Sequence, residues 1–160
     1  MDSRAKFLGH PIHQMLIVFP LGLLATGVIF DIIYLITDNP TMATVAFWMI
    51  AAGIVGGILA MPFGWIDWFA IPSGTRAKSV GLRHGLGNGV VLLLFIISWF
   101  LRRDQPEDPA TWAIVLSVAG AAISLVTAWL GGELVGRLSV GVHPGAHVNA
   151  PSSLKEKSLV

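Results

Sequence analysis

Four apolar stretches, each long enough to cross a bilayer, constrain this chain more than any other feature. A helical span needs about 20 apolar residues. Such stretches occupy residues 12–36, 43–69, 84–101 and 111–135. Hydrocarbon offers the backbone no water, so a span must satisfy its own hydrogen bonds, as a helix does. The links are short. Asp38-Asn39-Pro40 ends the first stretch, because proline lacks an N–H and restricts the residue before it. Ile71-Pro72-Ser73-Gly74-Thr75 turns the chain after the second, and residues 102–109 turn it after the third. Short links make antiparallel neighbours. The expected fold is all-α, a four-helix transmembrane bundle running up-down-up-down over residues 1–142, with a flexible cytoplasmic tail over 143–160.

Composition agrees. The 160 residues are 54% hydrophobic and 12% charged, where a soluble domain carries about a quarter charged. Mean hydropathy is +0.75. A net charge of +1 gives no reason to expect a nucleic-acid partner. The absence of cysteine excludes disulfides, thiolate metal sites and iron–sulfur ligation. The first apolar stretch is too long for a secretory signal core, contains Asp31 and is followed by three more like it.

Charge sets an orientation, since cytoplasmic loops collect Lys and Arg. Arg4, Lys6, Arg76, Lys78, Arg83, Arg137, Lys155 and Lys157 fall on one side; Arg102 and Arg103, among Asp38, Asp104, Glu107 and Asp108, fall on the other. Both termini are therefore expected in the cytoplasm, with the protein a multi-pass component of the inner (plasma) membrane. Aromatic residues, which prefer the two interfaces, fit the same frame. Tyr34, Trp48, Trp99 and Trp112 fall at outer ends, and Trp65, Trp68 and Trp129 at inner ends.

Helices in lipid associate through close backbone contact at small residues. Ala52, Gly56, Ala60 and Gly64 form one such row; Gly81, Gly85 and Gly89 a second; Gly120, Ser124, Ala128 and Gly132 a third. Packing is the plainer use of these rows, clearance for a flat cofactor the sharper one. Exposed rows would also permit a homodimer. Pro20 marks a kink in the first span. Asp31 follows His13 by 18 residues, five helical turns and about 27 Å along the same stripe. It is either a solvated helix-end carboxylate or part of a second polar site.

The remaining polar residues gather at the inner ends of the spans. His10 and His13, three apart, point to one side of a helix that Pro11 can begin. Asp67 closes the second span, His84 opens the third with Asn88 one turn deeper, and Glu133 closes the fourth. Alternation of the spans brings all five His and carboxylate groups to one face, and ionisable groups are costly in lipid. Three uses compete. His13 or His10 with His84 could ligate haem b. His10, His13, Asp67, His84 and Glu133 could ligate a non-haem Fe, Zn or Mn directly. Or each group rests at headgroup level and pairs with Arg83 or Arg137. Each half starts with a histidine and ends with a carboxylate, a weak internal echo. His143 and His147 follow the last span in a stretch containing Pro144 and Gly145, which argues against a helix. No phosphate loop, nucleophile elbow or zinc-protease helix is present.

Several stretches resemble a bacterial family of membrane proteins, domain of unknown function 2231. They are Gly9-His10-Pro11-Ile12-His13, Phe19-Pro20-Leu21-Gly22, Trp65-Ile66-Asp67, Ile71-Pro72-Ser73-Gly74-Thr75, His84 with Asn88, and Leu130-Gly131-Gly132-Glu133-Leu134-Val135 ahead of Val140-Gly141-Val142. The resemblance covers about residues 9–142. It implies four spans and, because some relatives look joined to Rieske or cytochrome domains, electron transfer. Relatives often carry an aromatic residue and a histidine just after the Gly-Gly-Glu motif, where this chain has Gly136 and Leu138.

The leading expectation is a membrane redox component. His13 and His84 bind haem b, His10 stands in reserve, and Asp67 and Glu133 orient the imidazoles. A redox protein and the lipid bilayer are its partners, and electrons rather than substrate bonds are handled, so no catalytic residue is assigned. The alternatives are a non-haem metal protein and a non-catalytic subunit that docks a soluble partner. A transporter is the weaker choice, because no span carries a charge near its middle.

Overall fold

The computed structural model describes residues 1–155; the last five residues of the tail, Lys157 among them, lie outside the described residues. The elements in order are β1 (Lys6–Phe7), β2 (His10–Pro11), α1 (Ile12–Leu16), α2 (Val18–Thr37), α3 (Pro40–Ala70), α4 (Arg76–Arg102) and α5 (Thr111–Gly136). Four helical segments, with α1 and α2 counted as one, are long and apolar enough to cross a membrane.

The boundaries follow local chemistry. Proline's ring collides with the carbonyl four residues earlier, and α1 ends at Leu16, four residues before Pro20. Where a kink is expected at Pro20, the helix is interrupted only at Ile17, which keeps right-handed helical dihedrals and is bridged by bonds from the Ile17 amide to the His13 carbonyl and from the Leu21 amide to the Ile17 carbonyl, both at 3.1 Å. Asp38 turns left-handed at φ 52° and closes α2. Asn39 then caps α3 by accepting from the Thr41 amide at 3.0 Å, with Pro40 at the first helical position. Thr75 caps α4, its hydroxyl accepting from the Lys78 amide at 3.1 Å. So α4 begins at Arg76 rather than at His84, and His84 sits about two turns inside the helix.

Helix α2 lies against α3, and α4 against α5. Along the first pair, rising numbers in α2 meet falling numbers in α3: Pro20 faces Gly56, Leu24 faces Gly53, and Gly27 faces Ile50. A Cβ on Gly53 would stand 2.6 Å from Leu24, so close approach here requires glycine. In the second pair Gly87 meets Thr127 and Gly120 meets Phe95. The core joins both pairs through Leu24, Val28, Ile50, Ile54, Val91, Leu92 and Phe95. Large apolar side chains such as Ile36, Phe69, Leu125 and Trp112 face outward, as a lipid-facing surface allows. Trp48 and Trp129 are exposed too, but Trp99 stacks on Phe47 at 5.3 Å.

At the end of the bundle that carries the histidines, the N-terminal segment folds over the helices. β1 and β2 form a hairpin with Leu8 and Gly9 at its tip, both at positive φ, the requirement of a two-residue type I′ turn. The described part of the tail runs as turns and brings Ser153 against Gly9 and His10.

A candidate ligand site between two histidines

His13 and His84 meet between the two helix pairs. Their ring centres are 6.4 Å apart and their planes are at 89°. Each ring is held the same way. His13 Nδ1 donates to the Ala60 carbonyl of α3 at 3.0 Å, and His84 Nδ1 donates to the Thr127 carbonyl of α5 at 2.9 Å. Each ring also lies against the glycine four residues beyond that carbonyl: an added Cβ at Gly64 would come within 2.9 Å of His13, and one at Gly131 within 3.1 Å of His84. The two halves thus repeat a unit of histidine, carbonyl and glycine, which is not the histidine-to-carboxylate echo read from the sequence. Neither Ala60 nor Thr127 could have been named from sequence, since every residue offers a carbonyl.

A carbonyl only accepts, so the ring proton of each histidine sits on Nδ1. Nε2 then carries a lone pair, the form that ligates metals. His13 Nε2 has no hydrogen-bond partner among the described residues. The Asn88 amide nitrogen lies 3.2 Å from His84 Nε2 and 3.4 Å from Nδ1. Being nearly equidistant, it stands over the ring face and not along the in-plane lone pair. Asn88 is itself fixed, donating to the His84 carbonyl at 2.9 Å and accepting from the Thr127 hydroxyl at 2.9 Å.

A cavity of about 560 Å³ surrounds the pair and extends past it to Leu24, Leu92 and Phe95. Small-molecule and cofactor sites usually measure ~300–1,000 Å³. Gly85, Gly89 and Gly132 line it, and a Cβ on Gly89 or Gly132 would meet nothing within 4 Å. Glycines inside and beside these rows thus do three jobs: Gly53 and Gly56 bring helices together, Gly64 and Gly131 seat imidazoles, and Gly89 and Gly132 border open space.

The other expected ligands lie at the same end of the bundle but are engaged separately. Asp67 anchors the N-terminal segment: it accepts from the Ser3 hydroxyl at 2.7 and 2.8 Å and from the Arg4 and Ala5 amides at 2.8 and 3.3 Å. Glu133 pairs with Arg76 at 2.6 Å, neither Arg83 nor Arg137. His10 is exposed, with Ser153 at 3.3 Å. His143 and His147 receive the Gly145 and Asn149 amides in local turns. Among the described residues no three His, Asp or Glu side chains come together as a metal-binding group.

At the opposite end lies a polar cluster of which sequence named only Asp31. Asp31 is fully buried and accepts from Arg102 at 2.7 and 3.2 Å and from the Ser117 hydroxyl at 2.7 Å. Arg102, also fully buried, donates to the Ser98 hydroxyl at 2.9 Å. Asp31 is therefore no solvated helix-end carboxylate, and Arg102 is no loop cation. A carboxylate inside an apolar span requires a partner, and that requirement is the signal that could have singled out an arginine at a neighbouring helix end.

No curated protein and no solved structure matches this chain. The model of a family described as a predicted membrane protein, domain of unknown function 2231, matches residues 9–144, and the chain belongs to that family.

Proposed function

We propose that the protein is a membrane electron-transfer component that holds haem b between His13 and His84. The observation that carries this reading is the matched pair of imidazoles, each with its proton fixed on Nδ1 by a backbone carbonyl. His13 and His84 would hold the iron through their Nε2 atoms; the rings stand 6.4 Å apart centre to centre, a separation that an edge-to-face contact also gives, and the Nε2 lone pairs and the adjoining cavity support the haem reading.

The donor set favours haem over a bare ion. Protein zinc sites use three or four side-chain ligands, whereas haem iron brings four nitrogens of its own and takes axial ligands from the protein. Among the described residues no third His, Asp or Glu joins the two histidines as a metal-binding group, and Asp67, which lines the same cavity, is engaged by residues 3–5; this suits the second case. Haem would supply a reversible one-electron change of iron. The chain's residues would orient the axial nitrogens, exclude water and line the cavity with apolar surface. The carbonyls of Ala60 and Thr127 take the orienting role expected of Asp67 and Glu133.

The membrane frame belongs to the same proposal. The bundle runs up-down-up-down in a bacterial inner membrane, with the histidine end and both termini cytoplasmic. Burial of Arg102 supports this, because the loop after α4 then keeps one basic side chain, Arg103, itself 3.4 Å from Asp104.

The test is absorption. Detergent-purified protein from cells supplied with haem precursor is expected to show a Soret band with bis-imidazole α and β bands on reduction. His84→Ala is expected to abolish it. A colourless wild-type protein would overturn the haem reading, and stoichiometric Zn, Fe or Mn in that protein would favour direct ligation instead.

A further inference from the structure

We propose that the two imidazoles are unequal: His84 is the fixed anchor, and His13 is exchangeable, so that a small neutral diatomic molecule can take its place. This rests on the haem reading above and adds a ligand class to that site.

The inequality starts with the elements. His84 lies inside the 27-residue α4, capped by Thr75, with Val80 and Gly81 buried one turn before it. His13 lies in the first turn of the Ile12–Thr37 span, just before the one-residue interruption at Ile17, where α1 has no side-chain cap and no buried residue. The first-turn amides of a helix lack intrahelical acceptors, and Pro20 removes a further donor. The difference continues in the side chains. Four residues after His84 stands Asn88, locked to the Thr127 hydroxyl and laid over the imidazole. Four residues after His13 stands Ile17, the junction between α1 and α2, which offers the ring no polar partner. The carbonyl that receives His84 belongs to a residue with an orienting hydroxyl; the one that receives His13 belongs to an alanine. Displacing the His13 ring therefore breaks one ring hydrogen bond, while displacing the His84 ring would disrupt a network across α4 and α5. The wall of the same cavity is formed deeper in the bundle by Leu24, Leu92 and Phe95. That apolar lining suits a small neutral ligand and not a charged one.

The experiment compares variants of the haem-loaded protein using carbon monoxide as the probe. His13→Gly is expected to keep its Soret band, lose the bis-imidazole signature, bind carbon monoxide and regain the signature with added imidazole. His84→Gly is expected to lose pigment. Reduced wild type is expected to bind carbon monoxide more weakly than His13→Gly. Equal pigment loss in the two variants, or carbon monoxide binding in neither wild type nor His13→Gly, would overturn the proposal while leaving the haem reading intact. A colourless wild type overturns the haem reading, and hydrogen exchange on the cofactor-free protein then decides the inequality. Residues 12–17 are expected to exchange at least roughly tenfold faster than residues 84–89, and equal protection would overturn it.

Discussion

The two ends of the bundle hold buried polar groups in opposite states. Asp31 and Arg102 close on each other, and Ser98 and Ser117 complete the set, so the charges and hydroxyls are matched within the protein. His13 and His84 satisfy one nitrogen each and leave the other lone pair beside a cavity. A network that is complete holds helices in register; one that leaves lone pairs beside a cavity has acceptors to spare. On this view changes at the ion-pair end should alter stability first, and changes at the histidine end should alter ligand binding first.

The largest effect should come from Arg102→Leu, which leaves the Asp31 carboxylate buried without its counter-charge. Removing one partner of a buried pair typically costs about 3–5 kcal/mol, to be read from unfolding in detergent. Replacing both partners, Asp31→Leu with Arg102→Leu, should recover most of that loss, because it removes the charges that need each other. If the double variant were as unstable as the single, the ion pair would be more than a staple. Pigment should follow folding in all three proteins.

Asp67→Ala comes next. Its carboxylate gathers one hydroxyl and two amides from residues 3–5, and Ser3 is buried. Leaving buried donors unmet costs about 1–3 kcal/mol each at most. The N-terminal hairpin should detach, seen as faster proteolysis before α1, while the Soret band stays bis-imidazole if Asp67 is not a ligand. Loss of pigment with the hairpin still docked would restore Asp67 to the site.

What sequence could supply divides along the same line. The four helices were legible because bilayer thickness, proline and capping residues act locally. Asn39, Pro40 and Thr75 set boundaries whatever else surrounds them. His13 and His84 were legible as a pair because ionisable groups are conspicuous in apolar helices. Asp67 and Glu133 were drawn into the same cluster because periodicity fixes depth along a helix but not the partner across it. Three residues at the N-terminus claim Asp67, and Arg76 claims Glu133. The start of α4 was placed too late, since residues 76–83 are polar enough to resemble a loop and only the Thr75 cap marks them as helix. Arg102 was counted as a loop charge for the same reason: its partner lies 71 residues away.

Gly89→Ala separates packing from binding more finely. Its Cβ would meet nothing within 4 Å, so the cofactor-free protein should lose no contact. It should gain up to about 0.8–1.0 kcal/mol from helix propensity. If a flat ligand lies along this wall, the same methyl should weaken pigment retention. A stabilised apoprotein that keeps its pigment fully would move the ligand away from α4's glycine row.

Glu133→Gln should have the smallest effect, and is informative for that reason. The carboxylate pairs with Arg76 at 2.6 Å, but the arginine side chain is 60% exposed. Such surface pairs contribute about 0–1 kcal/mol and weaken with salt. The substitution keeps size and hydrogen bonding and removes only charge, so stability should fall slightly at low salt and converge on wild type at high salt. Its value lies in pigment and metal content. A structural Glu133 predicts no change in the absorption spectrum, because its charge is neutralised at the protein surface by Arg76. A spectral change, or loss of a bound ion, would mean that Glu133 leaves Arg76 for the cavity when ligand is present. The histidine end would then be a carboxylate-containing site, and its contrast with the Asp31 end would reduce to whether the guanidinium stays.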